Sequence, residues 1–151
     1  MKGKAAYFAV CRGKLAEGID FTDDAARCVI MAGIPYPQVY DPKVLIKKDY
    51  LDKKASSGKT RFNGQAWYRQ QACRAVNQAI GRVIRHIDDY GVILLMDTRF
   101  TTGHIKLSKW VTQCKKHYQK FDDLECDLYA FFKGNGHDME CEIDTKQGGM
   151  K

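Results

Sequence analysis

No apolar run in the chain approaches the roughly 20 residues a membrane-spanning helix needs, and no signal-peptide pattern follows the first lysines. A soluble, intracellular protein with no membrane partner is the expectation. No C-x-x-C spacing occurs either. The six cysteines (Cys11, Cys28, Cys73, Cys114, Cys126, Cys141) are scattered, so free thiols are the default. Cys114, His117, Cys126, His137 and Cys141 form a loose group without the tight ligand pairs of zinc sites; no metal site is expected. No internal repeat is present. Acidic residues are scarce over most of the length. Residues 1–120 hold 22 Lys/Arg against 10 Asp/Glu, whereas residues 121–151 hold 3 against 8. A basic body with an acidic end leans toward a polyanionic partner.

Within 151 residues, a soft prior for one domain, three short apolar runs stand out: 5–10, 28–32 and 92–96. Each is continuous rather than alternating, as in strands buried on both faces of a parallel sheet. Each leads into a loop signal: Arg12-Gly13, Gly33-Ile34-Pro35-Tyr36-Pro37, and Asp97-Thr98-Arg99. Periodicity predicts a long helix over 66–87, a short one over 44–51, another after Leu107, and an amphipathic helix over 122–132. The expected fold is α/β, a mostly parallel sheet flanked by helices. Residues 134–151 read as a disordered acidic tail. Three strands are few for this class, which suggests part of a larger domain.

The helix over 66–87 is the most informative segment. Its apolar residues, among them Ala72, Val76, Ile80 and Val83, centre on one face at 100° per residue. Arg74, Gln78, Gly81, Arg82 and Arg85 fall opposite, within an arc of roughly 100°. A solvated face usually mixes charge signs in i,i+4 pairs, but 66–87 contains no Asp or Glu. Guanidinium groups on one stripe, with no carboxylate on the same helix, suit a bidentate oxyanion such as phosphate. An ordinary polar face with a packing glycine remains the alternative. The run Cys11-Arg-Gly-Lys-Leu-Ala-Glu-Gly-Ile-Asp-Phe21 leaves the first apolar run, and two glycines give it a tight path with amides free for a ligand. A plain strand-to-helix loop is the alternative there. Lys43–Arg61 carries seven basic residues, including Lys47 and Lys48, against Asp49 and Asp52. Ser57-Gly58-Lys59-Thr60 imitates the end of a P-loop, but Lys53 stands where the first glycine belongs. Asp97 has no acidic neighbour after it, so Asp97-Thr98-Arg99 reads as a turn.

Taken together, these segments resemble the superfamily 2 DNA helicases related to the xeroderma pigmentosum group D protein. Residues 11–21 resemble their motif V, and Gln78-Ala-Ile-Gly-Arg-Val-Ile-Arg85 resembles motif VI, Q-x-x-G-R-x-x-R. Gly33–Pro37, Asp89-Tyr-Gly91 and Asp97–Phe100 fit in order. The likeness covers about residues 5–133. The stretch from Asn63 to Arg82 is most similar to members that act in telomere maintenance and DNA repair.

The resemblance implies a RecA-like helicase C-terminal domain, the later part of a second motor lobe, in a nuclear ATP-dependent DNA helicase. It implies ATP with Mg²⁺ in a cleft shared with a first motor domain, and single-stranded DNA as the other partner. The P-loop, the DEAH motif and the four cysteine ligands of the 4Fe–4S cluster belong to that first domain and are not in this sequence. The isolated chain is therefore expected to hydrolyse no ATP. By match to motif VI, Arg82 and Arg85 would be arginine fingers, with Gln78 and Gly81 shaping the wall. By match to motif V, Gly18 and Asp20 would lie near ribose and phosphates, and Glu17 would couple the site to DNA. Arg12, Lys14, Lys47 and Lys48 are candidates for the nucleic-acid backbone. The competing expectations are an ATP-independent basic nucleic-acid-binding module and an inert fragment.

Overall fold

The structure is a computed structural model that describes residues 5–13, 25–84, 86 and 88–136. The chain divides into two compact units, Met1–Gln113 and Cys114–Lys151.

In the first unit, β1 (Cys28–Met31) and β2 (Val92–Leu95) pair in parallel, Cys28 opposite Val92 through Met31 opposite Leu95. Two helices lie between them in the chain. Helix α1 spans Pro42–Ser56 and α2 spans Gly64–Ile80. Asp41 caps α1 by accepting from the Lys43 amide at 2.8 Å, and Pro42 sits in the first turn, where its missing N–H costs nothing. Asn63 caps α2 by accepting from the Ala66 amide at 2.8 Å. A 3₁₀ turn at Thr98–Phe100 and a short helix α3 (Lys109–Gln113) follow β2. Helix α2 lays Ala72, Val76 and Ile80, all fully buried, against Met31, Ile34, Phe100, Ile105 and Val111. Val76 and Ile80 each contribute roughly 1.5–3 kcal/mol by leaving water.

Four expectations need correction. The run 5–10 is not a strand: it pairs with neither β1 nor β2, and Phe8 is 94% exposed. A strand forms only where a neighbour completes its ladder, and 5–10 ladders with no described strand. The strands are also not buried on both faces. Met31 faces the core, while Ile30 is 57% exposed, because α2 covers one side of the sheet only. Finally, the helix predicted to reach residue 87 stops at Ile80. The Gly81 amide still donates to Asn77, but Arg82 donates to Ala79 and Val83 to Ile80 at 3.2 and 3.3 Å, a tightened i−3 turn. Val83 is nonetheless buried, so the apolar period reported burial correctly and helix wrongly. The short helix expected over 44–51 runs longer, through Ser56.

The second unit holds α4 (Phe121–Gly134), with Asp122 and Asp123 in its first turn, where carboxylates favour the helix dipole. Asp127 accepts from Tyr118 Oη at 2.6 Å and from Lys116 Nζ at 2.9 Å. Gly134 still belongs to α4 and Asn135 caps it; residues 137–151 of the expected tail, with His137 and Cys141, lie outside the described residues.

Candidate functional site

The motif residues Gln78, Gly81 and Arg82 cluster at the carboxyl end of α2, but not as one helical stripe. Gln78 is on the last full turn, Gly81 is the cap, and Arg82 sits half-exposed in the turn beyond. Arg82 is therefore not an extension of the helix face that carries Arg74. A Cβ on Gly81 would stand 3.3 Å from the Asn77 carbonyl oxygen, so its bareness serves the tight exit of the chain. Upstream, Gln70, Cys73, Arg74, Asn77 and Gln78 line a shallow open groove. Asn77 closes its floor: its Nδ2 donates to the Cys73 and Lys106 carbonyls, and its Oδ1 accepts from the Ser108 amide and hydroxyl at 2.8 and 2.7 Å. That uses its donors and acceptor inside the fold. Arg85 lies outside the described residues, as do Lys14, Glu17, Gly18 and Asp20.

At the carboxyl ends of the two strands a second group assembles, where open α/β sheets collect ligands. Arg12, in the left-handed region at φ 68°, is not left to solvent. Its Nε donates to the Pro35 carbonyl at 3.2 Å and its Nη2 to the Gln71 carbonyl at 2.7 Å, strapping the start of motif V to the loop after β1 and to α2. Part of the guanidinium expected to hold a DNA phosphate is thus engaged within the chain. Beyond β2, Asp97 caps the 3₁₀ turn through the Arg99 amide and takes a forked contact from the Arg99 guanidinium, Nη2 to Oδ2 at 2.6 Å. The segment is the turn its sequence implies. Asp97 Oδ2 lies 3.9 Å from where a Cβ would stand on Gly33, which brings the two strand-end loops together. Tyr36 from the first loop stacks on Tyr68 of α2 with centroids 5.1 Å apart, and Tyr68 Oη donates to the Pro37 carbonyl at 2.6 Å.

The Arg99 side-chain hydrogen bond, and then its amide, hold the Asp97 carboxyl down to about 2 from an ordinary 3.8. A folded-state value below the unfolded one makes Asp97 stabilising above about pH 4 and withdraws that contribution as pH falls toward 2. Asp97→Asn is expected to flatten the fall in urea midpoint between about pH 4.5 and 2.5; parallel curves for the two proteins would reject the coupling.

Helix α1 presents the basic surface. Lys47 Nζ lies 5.6 Å from the Tyr50 ring centroid, Lys54 Nζ 5.3 Å from the same ring, and Lys48 Nζ 5.0 Å from Tyr68. Lys53 pairs with Asp49 one turn back at 2.6 Å, both exposed, an interaction worth a few tenths of a kcal/mol. The charge therefore remains mostly available. Ser57–Thr60 follows a helix rather than a buried strand, which removes the P-loop likeness.

Among the described residues no three His, Cys, Asp or Glu side chains gather where they could hold a metal ion. One grouping was not visible in the sequence: Arg27, just before β1, pairs with Asp89 at 2.7 Å and lies over the Tyr90 ring at 4.0 Å. Asp89-Tyr-Gly91 matched the helicase pattern in order, but no periodicity points from it to Arg27, 62 residues earlier.

A sequence profile of the helicase C-terminal domain matches residues 1–114. Among curated relatives, a regulator of telomere elongation helicase 1 homolog of Arabidopsis thaliana is 42% identical over 149 residues, covering 93% of this chain and 14% of that protein. The Oryza sativa subsp. japonica homolog is 47% identical over 134 residues, 85% of this chain and 13% of its own length. Regulator of telomere elongation helicase 1 of Homo sapiens is 46% identical over 134 residues, 85% of this chain and 11% of its own. The chain thus spans about a tenth to a seventh of these relatives.

Proposed function

The chain belongs to the helicase C-terminal domain family, and on that premise we propose that it is part of the second motor lobe of an ATP-dependent DNA helicase acting in telomere maintenance or DNA repair in the nucleus. ATP with Mg²⁺ binds in a cleft completed by a first motor domain, which supplies the phosphate cradle, the metal ligands and, in the full-length protein, a 4Fe–4S cluster. Arg82 and Arg85 reach the triphosphate, and Gln78 and Gly81 shape the wall beside them. Gly18 and Asp20 serve the nucleotide, with Glu17 coupling it to DNA. The observation that carries this reading is the exit of α2: three fully buried residues, Ala72, Val76 and Ile80, anchor a helix whose carboxyl end and following turn bring Gln78, Gly81 and Arg82 close together.

Its test is nucleotide-dependent binding. Joined to a lobe with a P-loop, this chain should bind single-stranded DNA with an affinity that changes between the ATP- and ADP-bound states. Equal affinity in both states favours the ATP-independent basic module instead.

Single-stranded DNA runs along the basic face of α1, with Lys14 and the remaining donors of Arg12 as further partners for the phosphates. Affinity for a phosphate backbone is mostly counterion release and falls steeply between about 50 and 200 mM salt. Replacing Lys47, Lys48, Lys53 and Lys54 with Gln should lower the slope of log K against log salt by roughly 0.7 for each single-strand phosphate no longer neutralised. A slope unchanged by the four substitutions assigns binding to other residues.

A further inference from the structure

Segment 81–91 joins α2 to β2 and carries Arg82. It is anchored at both ends, and both anchors converge on Arg27. At the exit from α2, Val83 is 4% exposed, and its Cγ1 fills the space a Cβ on Gly91 would need. The Arg27 carbonyl oxygen stands 3.3 Å from that same point and accepts from the Val92 amide at 2.9 Å. At the entry to β2, Arg27 Nη1 donates to Asp89 Oδ1 at 2.7 Å and to the Tyr90 carbonyl at 2.8 Å, while the guanidinium lies over the Tyr90 ring. The Asp89 side chain is 1% exposed and Arg27 17%. Asp89 also folds the segment on itself: its amide donates to the His86 carbonyl at 3.2 Å, and its Oδ1 accepts from the Tyr90 amide.

A pair that only held strand register would be redundant here, since Cys28 to Met31 already ladder with Val92 to Leu95. The Arg27 side chain reaches instead to 89 and 90, on the connecting segment. Buried ion pairs are poor sources of net stability compared with apolar residues of similar size, but a planar guanidinium held by several acceptors has one defined orientation. We infer that Arg27, through Asp89 and Tyr90, is a positioning residue for the arginine-bearing segment: it holds the return limb so that the turn at 81–83 presents Arg82 in one place. The inference rests on the proposed role of Arg82, and misplacement of a catalytic group by about 1 Å costs on the order of 10²-fold in rate.

The test uses a full-length helicase carrying this segment, with ATP turnover measured alongside thermal melting and below the melting range. Arg27→Gln should lower kcat by about 10- to 100-fold while KM for ATP moves less than about 3-fold. Arg27→Lys should recover part of the loss, because an ammonium pairs with Asp89 but lacks the flat guanidinium face that lies over the Tyr90 ring. Tyr90→Leu, which keeps the ion pair, provides a milder arm if Arg27→Gln does not fold, with kcat down about 3- to 10-fold. In an Arg82→Ala background, Arg27→Gln should cost less than about 3-fold more, since the group it positions is gone. Full additivity, or a kcat untouched by Arg27→Gln and Tyr90→Leu in a protein that Arg82→Ala disables, overturns the positioning role alone. Near-normal turnover in Arg82→Ala overturns the site reading and this inference with it.

Discussion

Replacing Arg82 with alanine in a full-length helicase that carries this segment is expected to reduce DNA-stimulated ATP turnover by about 10³-fold or more, with Arg85→Ala comparable. Charge on the transferred phosphoryl group spreads over its equatorial oxygens in the transition state, and a guanidinium placed there is worth roughly 10³–10⁵ in rate. ATP binding should fall far less, because the proposed site takes its phosphate cradle from the other lobe. The backbone of the turn has its own supports: the Arg82 amide donates to Ala79, Gly81 caps the helix, and Val83 anchors the exit. Lysine at either position should restore little, since a point charge cannot reproduce the two-pronged grip. Arg74 provides an internal comparison, exposed on the face of α2 and lining the groove with Gln70 and Gln78. Its loss should act on DNA coupling, with a much smaller effect on turnover. Near-normal unwinding by both Arg82→Ala and Arg85→Ala would reduce these residues to a polar surface.

The exit of α2 also marks where sequence reasoning reaches its limit. Apolar spacing identifies residues that leave water, and it placed Ala72, Val76, Ile80 and Val83 correctly in the core. Hydrogen-bond pattern is a different property. Arg82 and Val83 leave the α-helical pattern for i−3 bonds because Val83 reaches the core by packing against Gly91, an approach invisible to any local period. The same limit explains the run 5–10, whose apolar residues meet the composition of a strand while no described neighbour supplies the ladder. The two strands that do form were legible, as was the amphipathic helix near residues 121–134. Motif residues were legible as a pattern before any geometry. Arg27 was not, because an ion pair across 62 residues leaves no spacing to read. Arg12 carries the opposite lesson: a cation picked from sequence as a candidate for the nucleic-acid backbone spends part of its hydrogen-bonding capacity on the Pro35 and Gln71 carbonyls.

Gly64 is the position where one methyl group should matter most to the first unit's stability. It opens α2, where alanine is intrinsically better by roughly 0.8–1.0 kcal/mol in a helix interior, so propensity alone predicts a gain from Gly64→Ala. The packing predicts the reverse. A Cβ there would stand 2.6 Å from the Lys48 carbonyl oxygen, 2.8 Å from Lys48 Cα and 2.9 Å from Asp52 Oδ2. Two of those atoms are backbone of α1 and cannot swing aside. The third belongs to Asp52, whose other oxygen accepts from the Gly64 amide at 2.8 Å. Relief therefore requires α1 and α2 to separate where they approach closely, and overpacking of this kind costs about 1–3 kcal/mol. Gly134→Ala is the matched control, since nothing lies within 4 Å of its Cβ position at the end of α4. There the same substitution should be neutral or slightly stabilising. Urea denaturation of the two variants should thus move the midpoint in opposite directions, or leave it fixed for Gly134→Ala alone. Because Lys48 lies on the displaced segment, Gly64→Ala should also weaken single-stranded DNA binding at low salt. A Gly64→Ala protein as stable as the parent would show that α1 and α2 do not approach each other as closely as these distances require.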